Sequence, residues 1–146
     1  MYRFIFLISL LFYFIQAEFV NLEKAQKVAI NQIIYNASNK TSIESIYTIK
    51  EGSLPLIYIF NITDYGFVLI SADDRVLPVL GYSSSNYYSN DDHPVQFQDM
   101  LDSFKKQILY VIDNNVQADD IISNQWSIYL SDTVEINDSR SVEPLM

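Results

Sequence analysis

The side chains able to do acid, base or nucleophilic chemistry are few and poorly matched to one another. A single histidine, His93, stands between Asp92 and Pro94, and no cysteine occurs in the 146 residues. Acyl transfer needs a nucleophile activated by a neighbouring base. Here there is no thiol and no Gly-x-Ser-x-Gly elbow, so the chain lacks what a self-contained peptidase requires. Acidic pairs occur at Asp73-Asp74, Asp91-Asp92 and Asp119-Asp120. Sequence neighbours project in different directions, so these read as turn and helix-cap carboxylates rather than as an acid/base couple. Asp74 is followed by Arg75, and the simplest role for that pairing is to fix a turn, with a docking site as the alternative. No alternating run of oxygen ligands with a bend glycine suggests calcium, and Gly52, Gly66 and Gly81 form no phosphate-cradling loop. No catalytic, metal-binding or cofactor-binding residue is therefore assigned, and a small carboxylate hydrolase lacks its constellation.

What remains is a chain that binds. Its net charge is −9, which disfavours nucleic acid and anionic membrane as partners and favours a basic or neutral protein surface. Without cysteine there is no disulfide, so stability must come from packing. Residues 1–17 carry one early cation, Arg3, an unbroken apolar run and a small residue, Ala17, at a plausible cleavage point. This is the pattern of a secretory signal, and the apolar run from Phe4 to Ile15 is short for a spanning helix of roughly 20 residues. The expectation is a secreted protein, extracellular or periplasmic, with no membrane contact once residues 1–17 are removed. Loss of Arg3 with the leader would make the remainder one unit more acidic.

The elements that would position these residues follow from periodicity. Asn21 can cap a helix whose Leu22, Ala25, Val28, Ala29 and Ile33 form one apolar stripe ending near Tyr35. Ile43, Tyr47 and Ile49 alternate with Glu44, Thr48 and Lys50, a half-buried strand blurred at Ser45 and Ile46. Gly52 to Pro55 turns the chain into three β-branched and aromatic runs, at residues 56–60, 67–71 and 79–83. The first two are joined by Asn61 to Gly66, a loop of hairpin length rich in turn residues. Pro78 suits a strand start or an edge. Residues 84–94 are polar and aperiodic and read as an exposed loop, with His93 an exposed side chain of the inert kind. A helix is expected from Phe97, with Met100, Leu101, Phe104, Ile108, Val111 and Ile112 on one face, ending at Asp113 to Asn115. Asp99 and Asp102 near its start and Lys105 and Lys106 later suit the helix dipole. Residues 121–130 fit a helix through Ile122, Trp126 and Tyr129 or a strand through Trp126, Ile128 and Leu130; helix is preferred. Asn36, Asn39, Asn61 and Asn137 each head an Asn-x-Ser/Thr triplet. The fold class expected is α+β, a small antiparallel sheet with flanking helices in a single domain, with residues 131–146 a flexible tail or connector.

The ungapped order Phe67, Val68, Leu69, Ile70, Ser71, Ala72, Asp73, Asp74, Arg75, followed by Pro78, Leu80, Gly81 and Tyr82, resembles the prodomain of the streptopain-type bacterial cysteine peptidases and the related free-standing Spi-type inhibitors. The likeness extends to the signal and to a helix on each side, so residues 18–130 are expected to be the inhibitor or prodomain. It implies a partner peptidase, in cis or in trans, whose active-site cleft is covered until the domain is cut away. It also implies an inhibitory loop at His93, Pro94, Val95, Gln96 and Phe97. The position matching the family's wedge amide is Gln96, one methylene longer than the family's residue, and Pro94 would stiffen the approach. The segment from Ser141 to Leu145 is similar to the connector that runs into a catalytic domain, so both a free-standing inhibitor and a truncated proenzyme are compatible with it. The rival from another class is a structural or adhesive surface domain using the tyrosine-rich residues 83–89.

Overall fold

The computed structural model describes residues 19–36, 42–64, 66–91 and 93–131. The proposed leader, the proposed tail beyond Ser131, and the Asn39 and Asn137 triplets lie outside the described residues. Among the described residues seven elements follow one another: α1 (Leu22–Asn36), β1 (Ile43–Glu51), β2 (Leu54–Ile62), β3 (Gly66–Ser71), β4 (Val79–Ser83), α2 (Val95–Asp113) and α3 (Asp120–Leu130). The four strands form an antiparallel meander in the order β1-β2-β3-β4. The protein is an α+β single domain.

The central strands are apolar on both faces, and that decides the architecture. Side chains alternate across a strand. Tyr58, Phe60, Ile62, Val68 and Ile70 therefore face one way and pack against Val28, Ala29 and Ile33 of α1 and Trp126 of α3. Ile57, Ile59, Phe67 and Leu69 face the other way and meet Leu101 and Ile108 of α2. The sheet is thus the middle layer of three, with two helices on one face and one on the other.

Three expectations are corrected by the packing. Ile43 does not share a face with Tyr47 and Ile49: a register shift between Ile43 and Ser45 turns Ile43 toward the α1 side, while Tyr47 and Ile49 pack on the α2 side. A bulge of this kind adds one residue and inverts the alternation beyond it. Leu22 is 41% exposed rather than part of the α1 stripe. Its place is filled by Val20, fastened by its amide to the Ala72 carbonyl at 3.0 Å beside a bridge between Phe19 and Asp73. Finally, α2 starts at Val95, two residues earlier than its apolar spacing indicates. Its first turn then holds no acid and its last turn no base, so the dipole argument for Asp99, Asp102, Lys105 and Lys106 does not apply. Lys105 instead reaches Asp102 at 3.5 Å, a surface pair of small worth.

Other expectations hold. Asn21 caps α1 by accepting the Lys24 amide at 2.8 Å. Residues 120–130 are helical: Trp126 is buried with Ile122, Tyr129 and Leu130 packed beside it, and its indole donates to the Val76 carbonyl at 2.8 Å. The Tyr129 hydroxyl bonds Gln32 at 2.6 Å, which ties α3 to α1.

Candidate functional site

The segment that joins β4 to α2 is held from below by the sheet. Asn61, near the end of β2, is buried, and its carboxamide faces the main chain of Tyr88. Its Nδ2 donates to the Tyr88 carbonyl at 2.7 Å and its Oδ1 accepts the Tyr88 amide at 2.8 Å. The remaining Nδ2 hydrogen goes to Ser45 Oγ at 3.0 Å. The reversal between β2 and β3 is accordingly shorter than residues 61–66: Asn61 and Ile62 are strand residues, and positive φ angles occur at Asp64 and Gly66. Asn61 also heads an Asn-Ile-Thr triplet, but its amide nitrogen is buried and fully engaged, so the folded protein offers no glycan acceptor there.

Gly66 fixes the same region from the other side. A Cβ at this position would lie 2.1 Å from the Ser83 carbonyl oxygen and 3.1 Å from that of Asn86, at a φ of +121°. Only glycine lets the hairpin approach the start of the loop so closely.

Above this base sits an aromatic cluster. The Tyr88 ring is 5.0 Å from Tyr47, 6.3 Å from Phe67, 6.2 Å from Phe97 and 4.8 Å from the His93 imidazole, on which it stacks. Phe97 closes the set, 5.8 Å from Phe67 and 5.0 Å from His93. Residues 84–94 are therefore not a uniformly exposed loop: Tyr88 is buried and His93 half-buried, with His93 Nε2 enclosed and lacking a hydrogen-bond partner. Burial, and secondarily the proximity of Tyr47, raises the pKa of the Tyr88 phenol. The Gln98 side chain reaches back to the His93 carbonyl at 2.7 Å and steadies the entry into α2.

The five residues singled out from the sequence are thus contiguous but unlike one another. His93 and Phe97 point into the cluster, whereas Pro94, Val95 and Gln96 are exposed. Gln96 borders an open cleft of about 630 Å³ shared with Tyr82, Tyr87, Phe97 and Met100, and among the described residues no Asp, Glu, Lys or Arg lines it. Of the two tyrosines that would serve an adhesive surface, Tyr88 is buried and only Tyr87 is exposed.

Asp73 and Asp119, one from each of two acidic pairs, have structural duties. Asp119 caps α3 by accepting the Ile122 amide at 2.8 Å. Asp73 is buried and engages Arg75, so the strand edge beside them offers no free charge pair for docking. Among the described residues there is no cluster of His, Cys, Asp or Glu able to hold a metal, and no helix long and apolar enough to cross a membrane. Sequence reasoning missed Asn61 and Tyr88. The type and neighbours of Asn61 suggest a turn, and the one available signal for it is a polar residue directly continuing the apolar run of residues 56–60.

Comparison with known proteins bears on this geometry. A model of the Spi protease inhibitor family matches residues 17–108, from before α1 into α2 and across the whole aromatic cluster. The chain is 25% identical over 115 residues, 74% of its length, to the thiol protease/hemagglutinin PrtT of Porphyromonas gingivalis. The matched region is 13% of that relative's length, so the chain corresponds to a small part of it. No solved structure matches. The α3 helix lies beyond the family match yet completes the core on the α1 face. Family match and cysteine-free sequence fit a non-catalytic inhibitory domain, and the chain belongs to the Spi protease inhibitor family.

Proposed function

We propose that the protein is a secreted inhibitor or propeptide of a streptopain-type cysteine peptidase, acting after removal of residues 1–17, with residues 18–130 as the inhibitory domain and residues 131–146 as a tail or connector. Its inhibitory element is the loop His93, Pro94, Val95, Gln96 and Phe97, which blocks the active-site cleft. One arrangement supports this reading: the loop is pinned on its aromatic side by His93 and Phe97 while Gln96 stays exposed at the first turn of α2. A pre-set loop loses less conformational entropy on binding, and a carboxamide offers donors and an acceptor without a charge to desolvate. An acidic chain also suits a basic or neutral enzyme surface better than nucleic acid.

The test is inhibition of a purified streptopain-type peptidase by the protein lacking residues 1–17. The expected result is a stoichiometric complex with loss of peptidase activity. No complex and no loss of activity at micromolar inhibitor would move the reading to a structural or adhesive domain.

A further inference from the structure

We propose that Asn61 is the positioning residue of the inhibitory loop, acting through Tyr88 and the ring cluster although it lies on a central strand and its side-chain hydrogen bonds go to Ser45 and Tyr88 rather than to His93, Pro94, Val95, Gln96 or Phe97. The inference rests on the inhibitory reading above for its functional half and on geometry for its structural half.

The paired bonds between the Asn61 carboxamide and the Tyr88 amide and carbonyl reproduce one rung of a β-ladder with a side chain in place of a strand. This needs a donor and an acceptor on one planar group at the right reach. Aspartate lacks the donor, serine is too short, and glutamine carries the group one methylene too far. Among the described residues the other hydrogen bonds of residues 84–91 are local: Ser85 and Asn86 amides to Ser83 Oγ, and the Asp91 amide to Ser89 Oγ. The exception is the exposed contact of the Asp64 amide with the Tyr87 hydroxyl at 3.2 Å. The buried link from sheet to loop backbone therefore runs through Asn61. From Tyr88 the constraint passes by ring contact to His93 and Phe97, the two residues that bracket Gln96. Packed rings transmit a displacement because a close-packed interior has little slack.

The test uses Asn61→Ala, Gln96→Ala, the double variant, and Val28→Ala as a control that weakens the opposite face of the sheet. Thermal melts set an assay temperature at which every variant is folded. Asn61→Ala is expected to weaken inhibition roughly ten-fold, the loss anticipated for a buried bonded pair. The double variant should then be little worse than Asn61→Ala alone, since a wedge that is no longer aimed has less to lose. Val28→Ala should inhibit like the parent. Full additivity of Asn61→Ala and Gln96→Ala, or equal weakening by Val28→Ala, would overturn the proposal.

Amide hydrogen exchange separates this from the inhibitory reading itself. In the parent the Tyr88 amide should exchange at least a hundred-fold more slowly than those of Ser89 and Asn90, and exchange across residues 86–94 should rise at least ten-fold in Asn61→Ala but not in Val28→Ala. A Tyr88 amide that exchanges as freely as its neighbours refutes the positioning role without any variant. If the parent shows the protection but inhibits no peptidase, the functional reading fails and the structural half stands. Should Asn61→Ala not fold, Asn61→Ser, which keeps a small polar side chain, takes its place with the same expected outcomes.

Discussion

The guanidinium of Arg75 grips the carboxylate of Asp73 with both prongs, Nε to Oδ1 at 2.8 Å and the terminal nitrogen to Oδ2 at 2.6 Å, and both side chains are buried. The Arg75 amide bonds the same carboxylate at 3.0 Å, and Ser71 Oγ accepts the Asp73 amide at 3.0 Å. This closes the turn from β3 toward β4 and backs the extended residues Phe19 and Val20. Hydrogen bonding to Asp73 raises the pKa of Arg75, so the guanidinium stays charged throughout the physiological range.

Breaking this pair from one side should be severe, because the surviving charge is buried. Arg75→Met or Asp73→Asn is expected to cost about 3–5 kcal/mol in urea denaturation, and the combined Asp73→Asn/Arg75→Met variant less than the sum of the two. Additive losses would show that the two side chains act independently.

Substituting Gly66 tests the approach of the hairpin to the loop. Gly66→Ala places a methyl against the Ser83 carbonyl at an unfavourable backbone angle and should destabilise the fold by about 3 kcal/mol or more, read as a lowered denaturation midpoint. A midpoint within experimental error of the parent would disprove the contact.

Trp126 is the single tryptophan and lies in α3, outside the family match. Its intrinsic fluorescence should be blue-shifted in the native protein and shift red in one step with loss of far-ultraviolet circular dichroism. Trp126→Ala should cost about 3–5 kcal/mol. A tryptophan signal that melts well before the sheet would make α3 an appendage.

Alkaline conditions should unfold the protein through its buried phenols. Desolvation raises the pKa values of Tyr58 and Tyr88 above the ordinary tyrosine value. The unfolded chain releases those protons first, near pH 10, so the stabilisation is complete below that pH and is lost as pH climbs toward the folded values. Denaturation at pH 8 to 11 should show stability falling above about pH 10, and less steeply in Tyr58→Phe and Tyr88→Phe.

Loop variants separate binding from folding. Gln96→Ala should weaken inhibition by about 1–3 kcal/mol with an unchanged melting temperature. Phe97→Ala should lower stability by about 2–3 kcal/mol, less than for a fully buried ring because Phe97 is only half-buried. If Gln96→Ala and a Gly-Gly-Gly replacement of His93, Pro94 and Val95 both inhibit like the parent while folded, the loop is a connector.

Much of this was legible in the sequence because local chemistry and tertiary packing agree. The runs at residues 56–60, 67–71 and 79–83 are apolar enough to name the sheet, and Asn21 and Trp126 act where their types suggest. Failures came where long-range geometry overrides local pattern. A bulge between Ile43 and Ser45 reverses the face of Ile43, which periodicity cannot foresee from one strand. Asn61 looks like a turn residue until Tyr88, 27 positions later, supplies its partner. His93 reads as an exposed loop side chain because stacking between Tyr88 and Phe97 depends on how the loop folds back.

The two-sided core has a chemical corollary. Every tie described in this domain is a packing contact, a hydrogen bond or an ion pair, and with no cysteine in the chain none can be a sulfur bridge. Reductants keep the nucleophile of a thiol enzyme in its working state, and they loosen inhibitors whose folds depend on disulfides. This fold is indifferent to them. The reducing conditions that keep a thiol enzyme active break no covalent tie in this domain, which presents no thiol for mixed-disulfide exchange.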